Sequence, residues 1–152
     1  MQIAGIEGHT VLKGFEKWIG VDAYTWAATA ASGAGRGGGS RTGRVNLANL
    51  VVTAPISVAT PRLVEACVTQ RRVSTVVLSA LSTGEDGMPK VFLSYELSDV
   101  VVMSVRHRDD ADGSASEEIE LAYQTIEITY TPQDERGGPG QPVTTVHSRT
   151  TA

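Results

Sequence analysis

The chain has 152 residues, a formal net charge of -4 and a single cysteine. A chain of this length buries about 70% of its unfolded surface on folding, enough for a hydrophobic core. The acidic balance argues against a dedicated nucleic-acid binder, which carries a surplus of lysine and arginine. A single cysteine cannot form an internal disulfide. We therefore expect residues 1–152 to fold as one domain that depends on packing and strand pairing.

The first residues contain neither a basic region nor a continuous apolar stretch, so they do not resemble a secretory signal. No apolar run reaches the length of a membrane span. The single cysteine suits a reducing cytosol. These features predict a protein that folds in the cytoplasm without inserting into a membrane, and any export would use a route without a cleaved signal.

Two β-strands are predicted on either side of a glycine-rich segment. Residues 18–28 alternate aromatic with smaller side chains, and residues 44–53 are rich in β-formers. One face of the first strand carries Trp18, Tyr24 and Trp26, and the other carries Ile19, Val21, Ala23, Thr25 and Ala27. Residues 32–43 contain too many glycines for a regular element and are predicted to form a flexible connection.

A short helix of two to three turns is predicted after Pro55. Thr60 suits the capping position and Pro61 the first helical position, because the proline has no N–H to leave unsatisfied. Leu63, Ala66 and Cys67 lie on one stripe, which we interpret as the buried face.

The rest of the chain is predicted to be an antiparallel meander. Residues 72–81, 90–97 and 100–107 are β-rich, with a corner at Ser98 and Asp99. Between residues 117 and 130 the apolar positions are odd up to 123 and even from 126, which predicts a β-bulge near Gln124 and Thr125. Residues 143–150 form a last strand.

These elements predict a mainly β fold with about eight strands and one short helix. At this length the arrangement is a closed or nearly closed β-barrel, or a tightly packed sandwich of two antiparallel sheets.

No catalytic apparatus or cofactor site is predicted. Gly33, Gly35 and Gly38 match the spacing of a dinucleotide-binding loop, but a strand follows where that motif requires a helix. We interpret the segment as a plain loop. Cys67 lies on the apolar stripe of the helix, where a thiol behaves as a small core residue.

The acidic and histidine residues also give no site. Asp109, Asp110, Asp112 and Glu117 lack the spacing of a calcium loop and are interpreted as a solvated acidic turn. The pairs Glu7 with Glu16 and Glu117 with Glu118 are likewise interpreted as solvated charges. His9, His107 and His147 are far apart in the sequence, and no nucleophile elbow is present. We predict no enzyme activity, no cofactor and no metal.

Six segments in order give the chain a likeness to a known family. They are residues 3–8, residues 19–26 with an aromatic-x-Trp ending, the glycine-rich loop and Gly-Arg-Val-Asn-Leu of residues 37–47, the Thr-Pro-x-Leu and Ala-Cys of residues 60–67, the hydrophobic strand of residues 91–93 with the Leu-x-x-Val-x-Val of residues 97–102, and the phase-shifted strand and Tyr-x-Pro of residues 117–132. In this order they resemble the Hcp family, the haemolysin-coregulated tube proteins of bacterial type VI secretion systems.

The resemblance implies a structural function. Hcp-like protomers are β-barrels with one helix, six of which form a flat ring with an open centre, and the rings stack into a tube. The tube assembles inside a contractile sheath, is capped by a spike protein and leaves the cell with effector proteins. It would therefore be secreted to the extracellular space or a target cell.

Two surfaces follow from this implication as expectations. The small side chains Val21, Ala23, Thr25 and Ala27, with Ile19, are expected to line the lumen, while Trp18, Tyr24 and Trp26 fill the core. The residues expected to contact a neighbouring subunit or ring are Arg36, Arg41, Arg44, Pro55 and Ile56.

Two other functions remain open at this point. One is a tail-tube protein of a phage-like injection particle. The other is a monomeric β-barrel that binds a small ligand in its mouth.

Overall fold

The computed structural model describes residues 1–30, 45–84, 87–109, 111–133 and 138–149. Within these residues the fold contains ten strands and one helix. They are β1 (Gln2–Ile3), β2 (Ala23–Thr25), β3 (Ala28–Ala30), β4 (Val45–Leu47), β5 (Leu50–Pro55), α1 (Thr60–Val68), β6 (Arg72–Thr83), β7 (Pro89–Asp109), β8 (Ala115–Ala122), β9 (Thr125–Tyr130) and β10 (Val143–Ser148).

Eight of these strands form one antiparallel sheet. Its hydrogen-bonded order is β1-β6-β7-β8-β5-β2, with β9 beside β7 and β10 beside β9, while β3 and β4 pair separately. The sequence left open a closed or nearly closed barrel and a sandwich of two antiparallel sheets. In the described residues the barrel is not closed, because the hydrogen-bonded path ends without joining β1 to β2. The two end strands are short, with two and three residues, and each is paired on one side, β1 with β6 and β2 with β5. Two reciprocal bonds between Met1 and Ile19 link the two regions. The N–H of Ile19 donates to the carbonyl of Met1 at 2.7 Å, and the N-terminal amino group of Met1 donates to the carbonyl of Ile19 at 2.6 Å.

The long strand β7 pairs with two different strands along the same edge. Its first half, from Leu93 to Ser98, lies beside β9, and its second half, from Val101 to Asp109, lies beside β8. Asp99, between the halves, has a φ of 53°, so the strand turns there. The sequence predicted two strands with a corner at this point, and the structure shows one continuous strand with a bend.

The facing strands β8 and β9 bend at the same level. Tyr123 and Ile126 are both buried although their positions differ in parity, as the phase of the apolar pattern predicted. On β7 the buried positions also change parity: Leu97, at an odd position, and Val100, at an even position, are both buried. The N–H of Gln124 donates to the carbonyl of Ser98 at 3.0 Å, across the bend. The bulge predicted near Gln124 and Thr125 is therefore a break between β8 and β9, and it lies opposite the bend at Asp99 in β7.

The two strands predicted over residues 18–28 and 44–53 are each broken. β2 pairs with β5, and β3 pairs with β4 in a register that differs by one residue. The break falls at Ala48, whose carbonyl accepts a hydrogen bond from the Tyr123 hydroxyl at 2.9 Å, and at Leu47, whose carbonyl accepts one from Arg149 at 2.7 Å. These carbonyls accept hydrogen bonds from side chains in distant parts of the chain, and so they are not available to a regular ladder between the two strands.

Helix α1 lies close to its predicted position, with Pro61 in its first turn. Its capping residue is Ala59 rather than Thr60, and no side chain caps the helix. The Thr60 hydroxyl instead accepts a hydrogen bond from the N–H of Ser57 at 3.0 Å. Leu63 is fully buried, so the predicted stripe packs on the sheet. In the described residues no helix is long and apolar enough to cross a membrane.

The bend at Asp99 makes this position sensitive to side-chain shape. Asp99→Val is expected to lower the free energy of unfolding by about 1–2 kcal/mol, because a β-branched residue clashes with its own backbone at positive φ. Asp99→Gly should stay within about 1 kcal/mol of wild type, since glycine adopts this conformation freely. Urea denaturation measures both. Glu96→Val, at an exposed position of the same strand, is the control. Equal losses in the valine and glycine variants would contradict the assignment.

Candidate functional site

The segment around β2 and β3 separates small side chains from aromatic ones. Ala23, Thr25 and Ala27 are exposed, while Tyr24 and Trp26 are half-buried and pack against the core. This agrees with the expected division of faces for these five residues. This segment, called the wall below, carries small, uncharged groups on its outer side. The same face of the sheet continues through Thr53 and Val51 of β5 to Glu118 and Glu120 of β8.

Three other residues of the predicted strand depart from that division. Ile19 is buried in the core and so does not share the exposed face, and Val21 is half-buried against the core. Trp18 is half-buried outside the core, with its ring 5.0 Å from that of Phe15 in an edge-to-face contact. The alternation fails here because residues 18–22 are not a strand: the carbonyl of Trp18 bonds Thr10, within an N-terminal loop.

The aromatic side of the wall is held by a hydrogen-bonded network. The Trp26 indole donates to the Tyr123 hydroxyl at 2.7 Å, and this hydroxyl donates to the Ala48 carbonyl. The rings of Tyr24 and Tyr95 meet edge to face at 5.4 Å. Since buried hydroxyl and indole groups need partners, this network fixes the orientation of both large side chains.

Arg149 connects this network to the end of β10. Its guanidinium lies 4.0 Å from the centre of the Tyr123 ring and donates to the Asn49 side chain at 2.9 Å. Asn49 in turn donates to Glu120 at 2.7 Å. A cation over an aromatic face and a bonded guanidinium tie the C-terminal strand to the wall.

A second feature lies at the other end of β8, where Glu117 is fully buried with 0% exposure. Neither of its carboxylate oxygens has a hydrogen-bond partner in the described residues. The ring of His107, its cross-strand neighbour, lies beside it, with Nε2 3.7 Å from Oε2. On its other side Glu117 is paired with Ala54 of β5, and Thr60 of α1 faces it.

Burial raises the pKa of Glu117, because the charged form loses its water; the Thr60 hydroxyl and His107 oppose this shift in part. The first turn of α1 contains no acidic residue, so Glu117 brings a carboxylate from another element to the start of that helix. The earlier interpretation of Glu117 as a solvated charge is wrong. A signal was present, because Glu117 has the same parity as the buried Ile119 and Leu121.

A surface pocket opens beside this carboxylate. It has a volume of about 390 Å³ and is lined by Ile56, Thr60, His107, Arg108, Asp109 and Ala115. Ile56, one of the residues expected at a subunit contact, is exposed and lines this pocket, and Pro55, also expected there, is the exposed residue before it in the chain. The other three, Arg36, Arg41 and Arg44, lie outside the described residues.

The remaining candidates for chemistry are dispersed in the structure. Glu118 points to the opposite face from Glu117 and bonds Arg106 at 2.6 Å, so these two acids do not form a pair. Glu7 is paired with Lys17, and Asp112 accepts a hydrogen bond from Ser114, which lowers the pKa of Asp112. In the part of the chain that the structure describes, no three His, Cys, Asp or Glu side chains are grouped for a metal ion.

Glu117 predicts a specific pH dependence. As pH rises above the ordinary value of 4.5, the unfolded chain ionises Glu117 before the folded chain does, so folding becomes less favourable until the raised pKa is passed. Glu117→Gln removes this ionisation. Its free energy of unfolding should exceed that of wild type by about 1–2 kcal/mol at neutral pH and the difference should shrink below pH 4.5.

Urea denaturation between pH 4 and 8 tests this prediction. Glu118→Gln, which removes an exposed carboxylate from the opposite face, is the matched control and should not change the pH profile by more than a few tenths of a kcal/mol. A Glu117→Gln profile parallel to that of wild type would show that Glu117 is not the cause.

Comparison with known proteins places the chain in a family. Residues 1–130 match the family model described as "Type VI secretion system effector, Hcp". No curated protein sequence matches the chain. The solved structures that resemble its fold include a type six secretion system protein, Hcp1 from Salmonella typhimurium, and a type VI secretion system effector from Yersinia pestis.

The likeness to these structures extends over nearly the whole chain. The first is 24% identical with a TM-score of 0.87, covering 97% of this chain and 92% of that one. The Salmonella protein is 23% identical with a TM-score of 0.78, covering 97% and 91%. The Yersinia protein is 18% identical with a TM-score of 0.75, covering 97% of both chains. At these identities the likeness concerns the fold.

Proposed function

We propose, because this chain belongs to the Hcp family of type VI secretion systems, that it is the tube subunit of such a system and that six copies close into a ring. The observation that carries this proposal is the family match over residues 1–130. The whole chain would act as one ring-forming domain with a structural rather than catalytic role.

The exposed surfaces support an assembly of this kind. A head-to-tail contact between identical subunits closes into a ring when the rotation per subunit divides the circle, and flat rings with unlike faces then stack without limit. Such contacts need exposed surface with apolar content. The described surface includes exposed Ile56, Val58 and Val143, which supply it.

The lumen wall is assigned to the small residues of β2 and its continuation. Ala23, Thr25 and Ala27 are exposed, and the half-buried Val21 lies at the start of the same face. These small, neutral groups offer cargo no side chain that could hold it tightly, so effector proteins would pass or dissociate without strong binding. The same face of the sheet carries Glu118 and Glu120 two strands away. Pro55 and Ile56, with Arg36, Arg41 and Arg44, are assigned to contacts between copies.

The further partners follow from this function. A tube subunit contacts further copies of itself, the contractile sheath around the tube, the spike at its tip and the effectors in its lumen. The subunit would assemble in the cytoplasm and leave the cell as part of the propelled tube. Nothing in this role calls for nucleic acid or insertion into a membrane.

The solution mass of the purified protein tests the ring. Light scattering coupled to size exclusion should give six times the protomer mass, and negative-stain images of the same peak should show annular particles. A clean monomer at high protein concentration would contradict the proposal and would favour a monomeric ligand-binding protein.

The lumen assignment is tested with Thr25→Lys. This side chain is exposed, so the variant should fold with wild-type stability within about 0.5 kcal/mol and should still form rings. Trp26→Ala, one position along, is the contrasting variant; loss of its packing and of its bond to Tyr123 should cost about 2–4 kcal/mol. A folded Thr25→Lys protein that no longer forms rings would place Thr25 in a subunit contact.

A further inference from the structure

Strand β10 contributes no buried side chain to the protomer. All six of its residues are exposed, and in the described part of the chain it pairs with β9 on one side only. It carries Val143 and Val146, which are 69% and 55% exposed, and it contains no acidic residue, lysine, arginine or proline. Edge strands of monomeric proteins are protected by charge, proline or a bulge, because an unprotected edge pairs with another chain. β10 has none of these protections.

The free edge of β10 presents the backbone groups of Thr144, Val146 and Ser148. The N–H of Arg149 donates to the carbonyl of Gln124, which continues the register of β10 with β9 by one pair. Because successive residues of an antiparallel strand bond alternately to either side, the odd-numbered residues of β10 bond β9 and the three even-numbered ones point away. Within the described residues no hydrogen bond engages their N–H and carbonyl groups.

A second open edge lies on β6, beyond the end of β1. The N–H of Ala4 donates to the carbonyl of Thr75 in the register of β1 with β6, so the odd-numbered residues of β6 point their backbone groups away from β7. The register shift of the β6–β7 hairpin places its extra residue in β7, and the alternation along β6 continues. Because β1 has only two residues, Ser79, Leu81 and Thr83 have no described strand beside them.

A pocket with a volume of about 390 Å³ lies beside this edge of β6. Its lining includes Ser79 and Leu81 of the edge, Leu12 and Phe15 of the N-terminal loop, and Tyr24 of β2. The pocket therefore occupies the gap between β6 and β2, where the sheet is open. Its largely apolar lining suits an incoming strand with valine side chains.

The two edges match in length, face and direction. Each presents three residues at alternate positions, with Val146 and Leu81 in the middle. Both middle side chains point away from the core, because the buried Ile126 shares its face with His147 and the buried Leu78 has the opposite parity to Leu81. Strands β6, β7, β9 and β10 alternate in direction, so a sheet that repeats these four strands places β10 antiparallel to the next β6.

We propose that β10 of one copy pairs with the β6 edge of a second copy, with Val146 opposite Leu81. The inference rests on the proposed function, because a ring needs two unlike surfaces on one chain, and these are two unlike edges. Backbone donors and acceptors of each edge bind those of the other. Within one protomer β7 and β9 separate the edges, so the pairing joins two copies. Pairing of β10 with another β10 would instead be self-complementary and give a dimer.

A proline at position 146 tests the backbone pairing. Val146→Pro removes an N–H that points away from β9, so its urea denaturation midpoint should stay close to that of wild type. It should raise the protein concentration needed for half-assembly by about tenfold or more, because a bond between copies is lost at each contact. Val146→Thr keeps the N–H and the branched shape and should assemble like wild type. Thr145→Pro removes an N–H that bonds β9 and should destabilise the protomer itself. Sedimentation velocity measures assembly.

A cysteine pair tests which edge receives β10. In a Cys67→Ala background, the double variant Leu81→Cys, Val146→Cys places two thiols at directly opposite positions, where the Cα separation of about 5.5 Å permits a disulfide. Oxidised particles should give a ladder of up to six linked protomers on a denaturing gel without reductant. Each single variant, Leu81→Cys or Val146→Cys, is a matched control and should remain a single protomer on the same gel.

The outcomes separate this inference from the proposed function. Wild-type protein that stays monomeric at every concentration overturns both. Wild-type rings that Val146→Pro forms equally well, with no ladder from the double-cysteine variant, overturn the inference and leave the proposed function standing. Disulfide-linked dimers from Val146→Cys alone show that β10 pairs with β10 and overturn the pairing with β6.

Discussion

The fold depends on one constraint in its longest strand. β7 has 21 residues and contributes buried side chains to a single core on both sides of Asp99, yet its two halves pair with different strands. Asp99 adopts a left-handed conformation, and beyond it the opposite set of alternate side chains faces inward. On the facing side the inward-pointing positions also switch from odd to even, between Tyr123 and Ile126. Because both changes fall at one level, Leu97 still pairs with Ile126, and the core remains continuous across the bend.

The bend also places Tyr123 where three separate parts of the chain meet. Its hydroxyl accepts from Trp26 and donates to Ala48, and its ring is covered by Arg149. Tyr123 therefore holds three parts of the fold together: the segment with the small exposed residues, the break between β4 and β5, and the end of β10. Because Trp26 points toward the core, Thr25 lies on the outer surface. This arrangement is the basis of the proposed lumen wall.

Local features of the fold could be predicted from the sequence. The change from odd to even apolar positions between Tyr123 and Ile126 located the bend, because burial of alternate residues is recorded directly in the pattern. Helix α1 followed from the proline and apolar stripe of residues 60–67. The breaks near Trp26 and Ala48 could not be predicted, since Tyr123 and Arg149 cause them from about 75 and 100 residues away.

The candidate site was predicted less completely. Ile56 was assigned to a subunit contact, and the structure shows it exposed at a pocket, but the assignment itself stays a prediction. Glu117 was misread, because acidic residues are usually solvated and its neighbour Glu118 is. The odd position of Glu117, which it shares with the buried Ile119 and Leu121, indicated that it is buried. Of the closed barrel, the nearly closed barrel and the sandwich that the strand count left open, the closed barrel is not formed in the described residues. A count of strands does not reveal that β1 and β2 pair with β6 and β5 and not with each other.

The central claim is that this chain forms a ring whose inner wall is the small-residue face of β2. A cryo-EM reconstruction of the particles formed by the purified protein tests it most directly. The account predicts a sixfold annulus with Ala23, Thr25 and Ala27 on the lumen surface and Trp26 turned into the subunit core. A ring with these residues on its outer rim or within a subunit contact, or the absence of any ring, would contradict it.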